Sequence, residues 1–181
     1  MAAKIIDVKT YTAKGLDVFF FDNNIWMYLF CPLGDYNKLR QRQYSELLKS
    51  VKTANSTIFT TSLIMSEYAN RYLRLDFARW RETDGFPEAK FKENYVGTKR
   101  YLDTVVEIKD SLRKILSICE KQPDNFNSVT IDNILNHFGE VDFNDSYYIE
   151  LASIKKWKIV TDDQDFIKYK NHNLEIISFV A

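Results

Sequence analysis

Residues Val141 to Phe166 read VDFNDSYYIELASIKKWKIVTDDQDF and predict a short buried helix followed by a short buried strand. A helix of about 11 residues rises about 16 Å, and a strand of about five residues covers a similar length. If the strand returns along the helix, Asp145 at the start of the helix and Asp163 after the strand reach the same edge of a sheet. Carboxylates gathered there repel one another, so we expect a cation between them. The stretch contains five aspartates: Asp142, Asp145, Asp162, Asp163 and Asp165.

Composition limits the class of protein. A chain of 181 residues is the size of one domain with a sizeable core, and a hydrophobic content of 45% excludes disorder. Lys+Arg and Asp+Glu number 25 each, which argues against a general polyanion binder but leaves room for a local basic surface. Two cysteines form neither a disulfide framework nor a metal-site spacing. Without an apolar signal core or a membrane-length segment, we expect a cytoplasmic protein with no membrane partner.

The rest of the chain alternates between strands and helices. Val18 to Phe21 is an unbroken apolar run, typical of a strand covered on both faces, and it ends abruptly at Asp22. Thr57 to Thr60 is a β-branched strand that leads into a helix carrying Glu67, and LEIISFV forms a last strand near the C-terminus. This order predicts an α/β fold, a three-layer α/β/α sandwich with a mostly parallel central sheet.

Four acids occupy matching places in that fold. Sites in parallel sheets form outside the carboxyl ends of the strands, where Asp22 and Asp163 each follow an apolar strand. Glu67 and Asp145 lie in early turns of helices, so all four can converge on one edge. Acids without a histidine or cysteine partner favour a hard divalent cation, Mg²⁺ or Mn²⁺. Such a cation can activate water for attack on a phosphodiester.

Each acid alone has a simpler explanation. Asp22 fits a turn residue or helix cap, Glu67 fits a solvated helix position, and Asp145 fits an acid that complements a helix dipole. Asp163 fits a polar turn after a strand. The ordered set of four in matching contexts nevertheless favours the catalytic interpretation.

The motifs around these acids resemble a known family. FFFDNNIWMYLF, SLIMSEYANRY, DFNDSYYIELA and KIVTDDQDF appear in the order of the four motifs of the PIN-domain family of metal-dependent ribonucleases, and specifically of its VapC-like toxin branch. The resemblance implies that Asp22, Glu67, Asp145 and Asp163 are catalytic residues and metal ligands. It covers both ends of the chain well and the middle poorly.

The resemblance also implies supporting roles. Asn24 would support the site by hydrogen bonding, Thr161 would assist, and Asp165 would be a further metal ligand. Asn23 stands where the family commonly has Thr, a small departure. Two other aspartates, Asp142 and Asp162, have no fixed role in the pattern, and we expect them to be turn or capping residues.

The function implied by the resemblance is endoribonuclease activity. RNA phosphodiester bonds would be hydrolysed by water activated by Mg²⁺ or Mn²⁺, and the toxin pattern implies a small antitoxin protein and a homodimer as partners. We expect a single domain over residues 1–181, with a helical elaboration around 81–129 that makes the chain longer than compact toxins. That region fits a lid, a dimer surface or an RNA-guiding element, and the sequence does not decide among them.

Three alternative functions can be compared with this pattern of acids, and the first two are disfavoured. A haloacid dehalogenase-type phosphohydrolase needs a second Asp two residues after the first, but Asn24 stands there. A receiver domain has its acidic pair after the first strand, whereas the pair here comes late. A non-catalytic PIN-like module that binds RNA or protein remains open, because four retained acids argue against degeneration without proving turnover.

Overall fold

A computed structural model describes residues 3–168 and 173–180 of the chain. Its described strands form one sheet: β1 (Lys4–Asp7), β2 (Val18–Phe21), β3 (Thr57–Thr60), β4 (Glu120–Lys121), β5 (Lys158–Val160) and β6 (Glu175–Ser178). Their order across the sheet is β1-β6-β5-β2-β3-β4, and each neighbouring pair is parallel. The predicted α/β fold with a mostly parallel central sheet is confirmed.

Helices connect most of these strands. They are α1 (Asn23–Phe30), α2 (Lys38–Thr53), α3 (Ser62–Thr83), α4 (Lys99–Leu116), α5 (Ile131–His137), α6 (Phe143–Lys155) and α7 (Gln164–Lys168). A π-helix, Phe91–Tyr95, lies between α3 and α4. None of the described helices is long and apolar enough to cross a lipid bilayer.

Strand β2 lies at the centre of the core because successive side chains point to opposite faces of a sheet. Phe20 packs against Tyr148 of α6, with ring centroids 5.0 Å apart, while Phe21 packs against Trp26 of α1 at 5.1 Å. Both phenylalanines are buried. Helices therefore cover both faces of β2, which explains why its apolar run is continuous rather than alternating.

The stretch from Val141 to Phe166 folds as a helix and a returning strand. Asp142 caps α6, since its carboxylate accepts a hydrogen bond from the backbone N–H of Asp145. The helix ends at Lys156, which takes a left-handed conformation with φ of 57°. Strand β5 then pairs with β2 in parallel, and this pairing brings the start of α6 and the end of β5 to one edge of the sheet.

Residues 81–129 depart from the sequence prediction in two respects. The glycines and proline between Glu82 and Gly97 predict a loop, but the structure forms the π-helix there, and the region also includes the short strand β4. Apolar spacing predicts a buried stripe on the helix that begins at Thr98, made of Leu102, Val105, Val106, Leu112, Ile115, Leu116 and Cys119. The prediction is wrong for Leu102, Val106 and Leu116, whose side chains are exposed, whereas Ile115 is buried. The polar Thr104 and Ser111 are buried instead.

Candidate active site

Asp22 is fixed at the carboxyl end of β2 by the pairing of β2 with β5. Phe21 lies opposite Val160 in the register, and the backbone N–H of Asp22 donates to the oxygen of Val160 at 2.9 Å. The next residue of β5's chain, Thr161, therefore stands beside Asp22, and its hydroxyl donates to Asp22 Oδ2 at 2.7 Å. Asp22 also caps α1 by accepting from the N–H of Asn23. Its side chain is consequently immobilised and only 5% exposed.

Asn24 and Thr161 contact Asp22, as their predicted supporting roles require. Asn24 Nδ2 lies 2.6 Å from Asp22 Oδ2 and 3.0 Å from Thr161 Oγ1. Asn24 Oδ1 accepts from the N–H of Asp162 at 3.2 Å, and Thr161 Oγ1 accepts from the N–H of Asp163 at 3.0 Å. These bonds join the Asp22 carboxylate to the turn that carries Asp163.

Glu67 is oriented by two residues that the sequence reasoning did not identify. Asn23 Nδ2 donates to Glu67 Oε1, and the Tyr148 hydroxyl donates to Glu67 Oε2, both at 3.1 Å. Asn23 is fully buried at the start of α1, so it links Asp22 to Glu67. The position of Asn23 directly after Asp22 could have indicated a residue of the site, whereas nothing in the sequence links Tyr148 to Glu67.

The four predicted acids influence one another electrostatically. Burial raises the pKa of Asp145 to about 9, with further contributions from the charges of Asp22, Asp142, Asp163 and Glu67. Burial, together with the charges of Glu67 and Asp163, raises the pKa of Asp22 to about 7 against the opposing hydrogen bond from Thr161. Burial also raises the pKa of Glu67. The structure thus brings the four acids together at one edge of the sheet.

The other aspartates of the stretch have different surroundings. Asp142 is a helix cap, as predicted, although its charge also raises the pKa of Asp145. Asp162 lies in the connection between β5 and α7, where a turn residue is expected, and its buried carboxylate forms an ion pair with Arg40. Asp165 lies in the first turn of α7 with its side chain exposed, and its backbone N–H donates to Asp163 Oδ1 at 2.9 Å. Its role as a metal ligand stays a prediction.

Asp162 is neutralised on the side of the turn where α1 and α2 lie. Besides Arg40, the hydroxyls of Tyr28 and Tyr44 reach its carboxylate at 2.8 and 3.1 Å. Its neighbour Asp163 instead contributes its charge to the pKa of Asp22 and Asp145. The two consecutive carboxylates therefore have different neighbours: Asp162 pairs with an arginine, and Asp163 interacts with the other acids.

Asp22, Glu67, Asp145 and Asp163 lie at one edge of the sheet, here called the acid edge. The oxygen atoms that they offer fit a hard divalent cation. Within residues 3–168 and 173–180, no three acidic, histidine or cysteine side chains already stand at the spacing of a metal-ligand set. Two other properties of the site match such a cation: its donor atoms are carboxylate oxygens, and its acids, when ionised, carry negative charge that a cation would neutralise. Asp22 is nearly inaccessible and forms no salt bridge with a described residue, while its acidic neighbours raise its pKa. Asp22, Glu67, Asp145 and Asp163 are the residues that would hold the ion.

Comparison with known proteins identifies the family. The family model described as PIN domain matches residues 19–171, which include all four acids. The chain belongs to the PIN domain family. PIN domains are generally nucleases, so the match supports a hydrolase and confirms the resemblance to the PIN-domain family. No curated protein matches the sequence.

Two solved structures are similar to this PIN domain at low sequence identity. One of them is the crystal structure of VapBC2 from Rickettsia felis bound to a DNA fragment from the promoter. A chain of that structure is 16% identical to this chain, with a TM-score of 0.55. The match covers 90% of this chain and 99% of that chain. PAE2754 from Pyrobaculum aerophilum is 14% identical with a TM-score of 0.44, over 93% and 90% of the two chains. At such identities the VapBC2 likeness supports the PIN fold alone.

Proposed function

We propose that this PIN domain is a divalent-metal-dependent endoribonuclease that hydrolyses RNA phosphodiester bonds. The observation that carries the proposal is the electrostatics of the acid edge. Burial and acidic neighbours raise the pKa of Asp22 to about 7 and that of Asp145 to about 9. Carboxyls that resist ionisation in the apoprotein release their protons when a cation binds, so metal binding and deprotonation are coupled.

The residues at the edge have distinct proposed roles. Asp22, Glu67, Asp145 and Asp163 would hold Mg²⁺ or Mn²⁺, with Asp165 as a further ligand. When bound, such an ion would activate the attacking water and stabilise the charge that develops on the phosphodiester.

Hydrogen bonds give the neighbours of these acids their proposed roles. Thr161 and Asn24 keep the Asp22 carboxylate turned toward the edge by donating to its Oδ2. Asn23 and Tyr148 hold Glu67 by donating to its two oxygens. Both pairs of bonds favour the ionised form of the carboxylate that receives them.

We propose further that the protein is the toxin of a toxin–antitoxin pair. The four family motifs and the likeness in fold to a chain of a VapBC2 structure support this assignment. The proposed partners are an RNA substrate, a small antitoxin protein and a second copy of the chain in a homodimer. The proposed location is the cytoplasm, with the whole chain forming one domain.

A nuclease assay tests the enzymatic proposal. Wild type and Asp22→Asn are incubated with defined RNAs in Mn²⁺, in Mg²⁺ and in chelator, with Glu46→Gln as a control that removes an exposed acid from α2. We expect wild type and Glu46→Gln to cleave RNA when metal is present, and Asp22→Asn to be inactive. Cleavage by Asp22→Asn at the wild-type rate would show that the site assignment is wrong.

The competing hypothesis is a PIN-like module that binds RNA or protein without turnover. Metal binding separates the two, because a ligand that binds the folded state raises the melting temperature. We expect Mn²⁺ at millimolar concentration to stabilise wild type. Absence of a shift, together with absence of cleavage, would favour the binding module.

A further inference from the structure

Helix α3 carries two arginines on the same face as Glu67. Arg71 and Arg74 lie four and seven residues after Glu67, which places them on one side of a helix with 3.6 residues per turn. Both are exposed. Arg74 is about 10 Å along the helix axis from Glu67. The positive charges therefore begin at the acid edge and lead away from it.

The second arginine is held against an aromatic ring. The guanidinium of Arg74 lies over Phe91 of the π-helix, with its central carbon 4.0 Å from the ring centroid. A planar guanidinium that lies over an aromatic ring leaves its second face available for stacking, and nucleic-acid bases stack on such planes. The π-helix thus fixes the orientation of a cation close to the acid edge.

A buried polar network anchors the π-helix to its neighbours. The carboxylate of Asp76 on α3 accepts hydrogen bonds from Tyr95 at 2.6 Å and Thr104 at 2.9 Å. It also forms an ion pair with Arg100 of α4. Asp76 and Tyr95 are both fully buried. This segment is therefore tied to two helices, which argues against a lid and in favour of a fixed platform.

Charge points to a polyanion as the occupant of this platform. Neither Arg71 nor Arg74 forms a salt bridge within the described parts of the chain. Beyond Arg74 the exposed end of α3 carries Arg81 together with the acids Glu82 and Asp84, so the charges there offset one another. The charge of Arg71 acts on Glu67, but two arginines without a salt bridge, in line with the proposed cleavage site, match adjacent phosphates of one strand.

We propose that Arg71, Arg74 and Phe91, here called the α3 track, bind the RNA strand on one side of the cleaved bond. Arg71 and Arg74 contact backbone phosphates, and Arg74 supported by Phe91 offers a stacking plane to a base. The proposal rests on the proposed ribonuclease function and assigns the residues around 81–129 a role in guiding RNA.

RNA binding at a series of salt concentrations tests the α3 track. Fluorescence anisotropy with a labelled single-stranded RNA is measured in chelator, which keeps binding separate from cleavage. Each phosphate contact contributes about 0.7 to the slope of log affinity against log salt for single strands. We expect Arg71→Gln and Arg74→Gln each to reduce the slope by about that amount and to weaken binding by up to about fivefold at low salt.

Two further variants separate charge from stacking. Arg74→Lys keeps the charge but lacks the planar guanidinium, and Phe91→Leu removes the supporting ring while Arg74 remains. We expect both to bind RNA several-fold more weakly with the wild-type salt slope. Arg74→Lys keeps this test valid even if Phe91→Leu perturbs the π-helix, which a lowered melting temperature would reveal.

Lys52→Gln is the matched control, since it removes one exposed positive charge from the end of α2, at the amino ends of the strands. Unchanged slopes in both arginine variants, or an equal loss in Lys52→Gln, would overturn the proposal. If wild type cleaves RNA while the arginine variants bind it normally, the track is wrong and the ribonuclease function stands. If the track binds RNA as expected but no metal supports cleavage, the inference stands and the enzymatic proposal fails.

Discussion

Replacing Asp145 with Asn should stabilise the protein in chelator. Asp145 has an ordinary pKa of 3.8 in the unfolded chain and about 9 in the folded state, so at pH 7 only the folded protein keeps the proton. Each pH unit above the unfolded value costs about 1.4 kcal/mol, giving an upper limit of about 4 kcal/mol at pH 7. The side chain is partly exposed, and solvent screening reduces the expected gain of Asp145→Asn to roughly 2 kcal/mol.

The stability difference between Asp145→Asn and wild type should depend on pH. A carboxyl whose pKa is raised on folding destabilises the protein progressively as pH rises from the unfolded toward the folded value, here between about 4 and 9. Below that window the wild type and Asp145→Asn should be equally stable. At pH 7 the variant should melt roughly 4–8 °C higher, since 1 kcal/mol shifts a domain of this size by about 2–4 °C.

Thermal unfolding in chelator across this pH window is the assay. Asp142→Asn is the matched control, because Asn caps a helix as well as Asp does and the Asp142 side chain is more exposed. We expect a smaller rise for it. A melting temperature of Asp145→Asn that is lower than wild type, or higher by the same amount at every pH, would refute the electrostatic reasoning. In Mn²⁺ the order should reverse, because only wild type gains binding free energy at the acid edge.

Two more predictions concern residues that support the edge. Tyr148→Phe removes a hydrogen bond that lowers the pKa of Glu67, so the acidic limb of the pH–activity profile should move to higher pH. Tyr147→Phe is the control, because the Tyr147 hydroxyl donates to a backbone oxygen, and it should leave that limb unchanged. Arg40→Met leaves the buried Asp162 carboxylate without its cation and should destabilise the fold by about 3 kcal/mol in urea unfolding. Adding Asp162→Asn should recover part of that loss, and a double variant no more stable than Arg40→Met would argue against the ion pair.

The sequence predicted the acid edge because that edge depends on short-range patterns. The continuous apolar run of Val18 to Phe21 indicated a strand covered on both faces, and the structure packs it against α1 and α6. The equal lengths expected for the helix and strand between Val141 and Phe166 are not observed, since α6 has 13 residues and rises about 20 Å whereas β5 has three and covers about 10 Å. Parallel pairing then places the residue after each strand at one edge, and the contact between Asp22 and Thr161 follows from the register.

The packing of α4 could not be predicted from apolar periodicity, because hydrogen bonds to other elements set which face is buried. Thr104 turns inward to donate to Asp76 of α3, and the hydroxyl of Ser111 donates to the backbone oxygen of Phe30. These partners lie 28 and 81 residues away in the chain. Leu102 and Val106 are left exposed as a consequence.

The difference between Asp162 and Asp163 likewise depends on a distant residue. Nothing in TDDQDF indicates which of the two carboxylates faces the acid edge, because the arginine that neutralises Asp162 comes 122 residues earlier. Asp76 shows the same arrangement, since it is buried and paired with Arg100. Asp22 is buried to a similar degree but forms no salt bridge with a described residue. Asp162 and Asp76 are neutralised by an arginine of the same chain, whereas Asp22 has carboxylates as its charged neighbours. This contrast supports a cation taken from solution at the acid edge.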